Sequence, residues 1–378
     1  MIVEYAKATQ DDFNDVVDFL DYVFSTAYAP TNFEKGLPAQ YLARNFMSGA
    51  NYIVKEDGKV VANVGSYPVT LKVGDESMTV AAITAVGVHN RSRSKGYMKK
   101  LMDMAVGEQQ KENVALSFLQ GQRQRYEYFD YTPCGTMLIY HCEEANLRHY
   151  LGKDYKPKVK VSLKEVNEEY DSVYEMYNKN RAGIIRPRER FEDIMAMWEN
   201  KTIGIYLNGS MVGYLSASKD YDKIAELHLD DMSLLSDTLA AYINEHKKSV
   251  DIEIYPHETE KIVQLNAFAA KADIRHSMEF NVMDYPAVLN AFLKLKAETV
   301  ALPDGELCIE VKDKCRFKIV VSGGKPTVTA TDEKPSLECT HLEAMQLFFS
   351  PASVYILDNV FARSIFPVPI FIRNLDKS

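Results

Sequence analysis

The chain is predicted to be α/β (α+β): two mixed-sheet units in tandem, residues 1–147 and 148–285, followed by a small α+β domain over 286–378. Three observations predict this. Helix and strand patterns alternate through the first unit, the same order returns after Val159, and short strands dominate from Ala301. A chain of 378 residues also exceeds one ordinary core.

In the first unit, Asp11 to Phe24 places Phe13, Val16, Val17, Leu20, Val23 and Phe24 at helical spacing, with Asp12, Asp15, Asp18 and Asp21 on the other side. Asn51 to Val73 reads as two strands joined by a hairpin at Asp57-Gly58. A β-type run, Val80 to Val88, then meets a basic turn and an amphipathic helix from Met98. The short run Val114 to Leu119 is a strand, Gln122 to Phe129 a second helix, and Met137 to Glu144 the unit's final strand.

Val159 to Asn180 and Ile203 to Asp220 repeat the opening of the first unit, with Asn208-Gly209 at the second hairpin turn. No basic glycine turn follows Leu227 to Leu229. The next helix starts on Asp230 and Asp231 instead, a charge that repels phosphate. Beyond Pro286 come an amphipathic helix, short strands and two further helices. The closing FPVPIFIRNLDKS holds two prolines among large apolar residues, so it is expected to dock on the protein as an extended tail.

Composition narrows the function. With 46% hydrophobic and 26% charged residues the chain is globular, and a formal charge of −9 disfavours nucleic acid as a partner. The N-terminus has no signal-peptide pattern and no window is apolar enough to span a bilayer, so a cytoplasmic location without a membrane span is expected. The five cysteines, Cys134, Cys142, Cys308, Cys315 and Cys339, show no metal-ligand spacing and are expected to be free, packed thiols; no metal is expected.

Chemistry concentrates between Val80 and Met102. Strand, basic turn and helix in that order set the unpaired N–H groups of a helix start beside Arg91, Arg93 and Lys95. Such a start holds a phosphate or pyrophosphate; a solvated basic turn fits the same spacing. His89 and His141 have no carboxylate at motif spacing and are read as structural.

Arg93-Ser94-Lys95-Gly96-Tyr97-Met98 resembles the acetyl-CoA signature of the GCN5-related N-acetyltransferases (GNAT), a turn of the form Arg/Gln-x-x-Gly-x-Gly/Ala that opens a helix after a bulged strand. Met98 stands where the pattern has a small residue. A second register, Arg91 to Gly96, fits the helix less well. Downstream, Tyr126, Phe129 and Tyr131 match the spacing of that family's aromatic run. The whole layout, two such units, the second without its turn, and a sterol-carrier-like C-terminal domain, is similar to the Eis family of bacterial acetyltransferases.

That resemblance implies acetyl-CoA as cosubstrate, its pyrophosphate on the amides of Arg93, Ser94, Lys95, Gly96, Tyr97 and Met98. Its pantetheine arm would pair with Val86 and Val88, and Gly121 and Gln122 would line the other side. Tyr126 would be the general acid for the departing thiolate, and the terminal carboxylate, here on Ser378, the base or a stabiliser of the substrate cation. This chain ends more polar than the best-known members, and the family's triple-arginine turn is reduced to Arg93, Ser94 and Lys95. Family members of this layout assemble as hexamers, which implies a homo-oligomer.

The chemistry is consistent with those residue types. A lysine-like amine, with a pKa of ~10.4, must lose a proton before it attacks, whereas a tyrosine at ~10 keeps its proton at pH 7 and can pass it to a thiolate. A packed aromatic is the alternative for Tyr126. Tyr128 lies about 200° round the helix and should not share the site. The expected acceptor is a primary amine, on a cationic small molecule of aminoglycoside or polyamine type or on a lysine side chain. Asp18 and Asp21 either help attract it or form a solvated face. The rival function is a non-catalytic acyl-CoA or lipid-binding sensor or carrier.

Overall fold

The computed structural model describes residues 2–27, 29–152, 161–166 and 168–377. Ser378 and part of the expected repeat after Val159 lie outside them. The first stretch supplies strands β1 (Val3–Lys7), β2 (Asn51–Glu56), β3 (Lys59–Val73), β4 (Glu76–Val88), β5 (Leu116–Leu119), β6 (Thr132–Cys134) and β7 (Met137–Cys142). The middle supplies β8 (Val161–Glu165), β9 (Ala182–Ile184), β10 (Lys201–Leu207), β11 (Ser210–Ala217), β12 (Lys223–Leu229), β13 (Val250–Ile254), β14 (Lys271–Arg275) and β15 (Met278–Val282). Four more close the chain: β16 (Gly305–Val311), β17 (Cys315–Ser322), β18 (Lys325–Ala330) and β19 (Leu337–Cys339).

Two large sheets share one plan. The first runs β1-β2-β3-β4-β5-β15-β6 with β9 added to β3, and the second runs β8-β10-β11-β12-β13-β7-β14. Each holds one parallel pair at its centre, β4 with β5 and β12 with β13. Both expected hairpins form at residues of positive φ, Asp57-Gly58 (47° and 83°) and Asn208-Gly209 (50° and 87°), the backbone that Asn, Asp and Gly tolerate best. So the two units repeat in topology as well as in sequence pattern.

The sheets nevertheless exchange a strand. Met137–Cys142, expected to finish the first unit, pairs with β13 and β14 in the second sheet. Met278–Val282, from the second segment, takes the matching slot between β5 and β6 in the first. Backbone pairing is indifferent to which unit supplies the strand, and both strands carry enough buried side chains to fill either slot. The exchange crosses the expected boundary at 147.

The C-terminal unit is α+β, a four-stranded sheet β18-β17-β16-β19 with helices Tyr285–Ala297, His341–Phe349 and Val360–Ile365. The tail docks as expected, because Phe366, Val368, Ile370, Phe371 and Ile372 bury their side chains in the largest core cluster. Four of the cysteines are buried, Cys315 is partly so, and all five are free. Among the described residues no helix is long and apolar enough to cross a membrane, and no cluster of side chains suits a metal ion.

Candidate active site

The site begins with a separation of strands. The hydrogen-bonded register of β4 with β5 runs from Val80↔Leu116 to Ala82↔Phe118 and stops, although β4 continues to Val88. On its other side β4 stays paired with β3 as far as Ala62↔Val88. Ile83–Val88 therefore presents one backbone edge to a wedge, where an extended amide-bearing chain can pair with it. A bulge lies in this stretch: Ala85 has φ 50°, and its carbonyl accepts from Asn63 Nδ2 at 2.9 Å.

Helix Tyr97–Lys111 starts at the mouth of the wedge. Gly96 caps it with φ 79°, a left-handed backbone that glycine adopts without a Cβ clash, and Ser94 before it sits at 64°. Tyr97, Leu101, Met102, Ala105 and Gln109 bury the inner face at three- and four-residue spacing. That packing leaves the free amides of the first turn aimed at the wedge.

A cavity of about 660 Å³ occupies the mouth, lined by Val86, Val88, Arg93, Ser94, Gly96, Tyr97, Met98, Gln122 and Tyr126 among others. Nine of the residues singled out from sequence thus meet in one place. Lys95 does not line it; its ammonium lies 2.6 Å from Glu56 Oε1, which also accepts from the Tyr97 hydroxyl at 2.7 Å. The bond its hydroxyl donates to Glu56, with burial, pushes the Tyr97 phenol up to about 12, so Tyr97 offers the cavity its backbone while its hydroxyl is engaged elsewhere.

An adjoining cavity of about 410 Å³ reaches deeper, past Ile83–Val86 on one strand and Leu119–Gln122 on the other. Phe24, Val86, Gln122, Arg125 and Tyr126 belong to both cavities, and Gly121 to the deeper one only. Tyr126 therefore stands at their junction. Its residue is 9% exposed whereas Tyr128 is 87% exposed, which places the two on opposite sides of the short helix Arg123–Tyr126 and the turn that follows.

Close packing fixes that tyrosine. A Cβ on Gly121 would clash with the edge of the Tyr126 ring at Cε2 and Cδ2, so only glycine lets the ring lie against this backbone. The Gly121 N–H is also engaged, donating to Glu279 Oε2 at 3.0 Å. Burial raises the Glu279 carboxyl above its ordinary value, with the Gly121 bond opposing. Tyr131, buried below, shares a 2.6 Å bond between its hydroxyl and Ser117 Oγ. Both expected structural histidines have other partners: His89 stacks on Tyr22 at 5.1 Å, and His141 lies 2.7 Å from Asp251 in the second sheet.

Sequence reasoning missed Arg125, Phe24, Glu279 and Trp198. Arg125 adjoins the aromatic run, so its position was readable. Trp198 comes from the second unit, 72 positions after Tyr126, and no local signal links the two. Its indole Nε1 donates to the Lys377 carbonyl at 2.9 Å, which brings the docked tail to the wall of the deeper cavity.

Residues 4–134 match the family model described as acetyltransferase (GNAT) domain. No curated protein matches the sequence. Among solved structures, a probable N-acyltransferase from Enterococcus faecalis V583 superposes with a TM-score of 0.67 at 15% identity, over 98% of both chains. A GCN5-related N-acetyltransferase from Kribbella flavida gives 0.68 at 14% identity, covering 100% of this chain and 98% of its own. Eis1 from Mycobacterium abscessus gives 0.62 at 15%, covering 96% and 91%. At these identities the likeness is one of fold. The chain thus carries a GNAT acetyltransferase domain over residues 4–134, inside an architecture similar from end to end to that of solved N-acyltransferases.

Proposed function

We propose that the chain is an Eis-like N-acetyltransferase that moves the acetyl group of acetyl-CoA to a primary amine. One observation carries the reading: the free helix start at Gly96, the unpaired edge of β4 and the ring of Tyr126 all face a single cleft. A solvated basic turn would need none of the three to converge.

Acetyl-CoA supplies an activated acyl thioester. The amides that follow Gly96 and the Arg93 guanidinium suit its pyrophosphate, since both place positive charge at the cavity mouth. Backbone groups of Val86 and Val88 suit the amides of the pantetheine arm. Tyr126, between the two cavities, holds a phenolic proton for the departing sulfur. The deeper cavity is left for the acceptor amine.

The amine must lose a proton before it attacks, and the tail supports the Ser378 carboxylate as the group that takes it or balances its charge. Trp198 holds the carbonyl of the preceding residue, Lys377, at the wall of the deeper cavity. A carboxylate beside apolar walls is a stronger base than one in water, because desolvation disfavours its charged form.

Thiol release from acetyl-CoA with an amine panel tests the reading. Tyr126→Phe should bind acetyl-CoA normally and lose on the order of 10²-fold in kcat. Binding without turnover in the unaltered protein would replace the transferase with an acyl-CoA sensor.

A further inference from the structure

The deeper cavity differs from what a polycation requires. Phe24, Phe33, Leu37, Ile83, Leu119 and Trp198 form its apolar walls, its Thr, Asn and Gln side chains are neutral, and its one charged lining side chain among the described residues is Arg125. No acid lines this cavity among the described residues. Asp21 Oδ1 accepts from the Phe33 backbone at 2.7 Å, Asp18 borders a separate hollow with Asp15 and Lys59, and Glu199 pairs with Lys35 at 2.8 Å and Lys219 at 3.0 Å.

We propose that the acceptor is a monoamine on an aromatic or aliphatic body, and that Trp198 sets this preference. The inference rests on the acyl-transfer reading and names the substrate class of that site. A single ammonium group is accommodated because it is placed at the reacting end, beside Tyr126 and the tail. There the amine nitrogen forms its bond to the acetyl carbon as the carbon–sulfur bond breaks; the nitrogen gives up a proton, and the sulfur gains one. A second or third ammonium would sit among apolar and neutral polar side chains with Arg125 as the one charge in the lining, losing water without gaining a counter-ion.

Trp198 has independent marks of a placed residue. It stands 48% exposed, with φ 58°, and Glu199 follows at the same angle, a left-handed pair without glycine. Such a backbone persists only where its surroundings hold it, and here the indole bond to the Lys377 carbonyl and the ion pairs of Glu199 do so. A broad, rigid aromatic face at a cavity wall offers contact area to a flat apolar body at little entropic cost.

Trp198 is the chain's one tryptophan, so its emission reports on this cavity directly. The full-length protein should show a saturable change in that emission with 2-phenylethylamine and none with spermidine. With acetyl-CoA present, kcat/KM should favour 2-phenylethylamine by at least tenfold. Trp198→Ala should raise its KM at least fivefold and also lower kcat, because the indole bond that holds the Lys377 carbonyl is lost with it, and Trp198→Glu should move the preference toward spermidine. Saturation by spermidine alone, faster turnover of spermidine or of a lysine peptide, or no emission change with either amine overturns the inference. Saturation by 2-phenylethylamine without any thiol release would leave the pocket assignment standing and overturn the transferase reading instead.

Discussion

Arg186 Nε donates to Asp376 Oδ1 at 2.8 Å across 190 residues of sequence, and the other edge of the guanidinium meets Glu226. The three side chains are 0%, 3% and 3% exposed, and the Tyr177 ring lies 4.0 Å from the Arg186 carbon centre. Burial pulls the guanidinium down, but Asp376 and Glu226 outweigh it and hold it charged. The tail is thereby pinned one residue before Lys377, whose carbonyl receives the Trp198 indole. This buried cluster connects the second unit to the deeper cavity.

Arg186→Met should leave two carboxylates buried without their cation. Removing one partner of such a cluster costs about 3–5 kcal/mol, whereas replacing all partners together is far milder. Urea unfolding should therefore show a large loss for Arg186→Met and partial recovery when Glu226→Gln and Asp376→Asn are added. A loss under about 1 kcal/mol in the single variant would mean that the cluster does not anchor the tail.

Acid should loosen the same region. His257 stacks against Phe371 of the tail at 5.1 Å, and burial pushes its pKa down to about 4, with Glu258 opposing and Arg373 and Lys261 assisting. In the unfolded chain it titrates near ~6.5. Between those values the unfolded state binds more protons, so stability falls as pH drops from about 6.5 to about 4, by up to about 1.4 kcal/mol per pH unit. Glu258 has the same sign: burial raises it, but Lys261 and Arg373 hold it below the carboxylate range, so its contribution is lost in acid. Glu253, raised by burial, has the opposite sign. His257→Gln isolates one of the three. Guanidinium unfolding at pH 4.5, 5.5 and 6.5 should give it a shallower slope than the unaltered chain, and equal slopes would refute the assignment.

Local signals were the ones that could be read from the chain. The order strand, turn and helix from Val80 to Lys111 depends on neighbours in sequence, so alternation and the Gly96 cap revealed it. Helical spacing alone separated Tyr126 from Tyr128. The strand exchange could not be read in this way, because β7 and β15 are both largely buried strands that either sheet could accept, and only the three-dimensional register assigns them. Lys95 followed the turn motif, yet its charge is taken by Glu56 from 39 residues away. Trp198 is part of the cavity only because the second unit packs against the first.

The Lys95 ion pair separates the basic residues of the turn. Arg93 is exposed and lines the larger cavity, so Arg93→Ala should remove a charge-assisted bond to pyrophosphate. Such a bond contributes about 1.5–3 kcal/mol, which is a rise of roughly 10- to 100-fold in KM for acetyl-CoA. Lys95→Ala should change that KM by less than about threefold, since its ammonium serves Glu56. Kinetics at low and moderate salt decide the matter. The Arg93 variant alone should lose salt dependence, and equal effects from both substitutions would return Lys95 to the pyrophosphate.

The exchanged strands make a prediction about where the chain can be cut. A fragment ending at residue 147 keeps β5 and β6 but lacks β15, which bonds to both through Leu119↔Glu279 and Thr132↔Phe280. It also carries β7 without β13 or β14. Two unpaired inner edges and one unpaired apolar strand are an aggregation template. The fragment should fail to unfold cooperatively, and the buried Glu279 would no longer meet Gly121 below Tyr126. Replacing residues 137–142 by residues 276–283 on a flexible linker supplies the missing strand and removes the unpaired one. Thermal unfolding followed by circular dichroism should then regain a single transition. Cooperative folding of the plain fragment would mean that β4, β5 and the helix Tyr97–Lys111 hold the wedge open without help from the second unit.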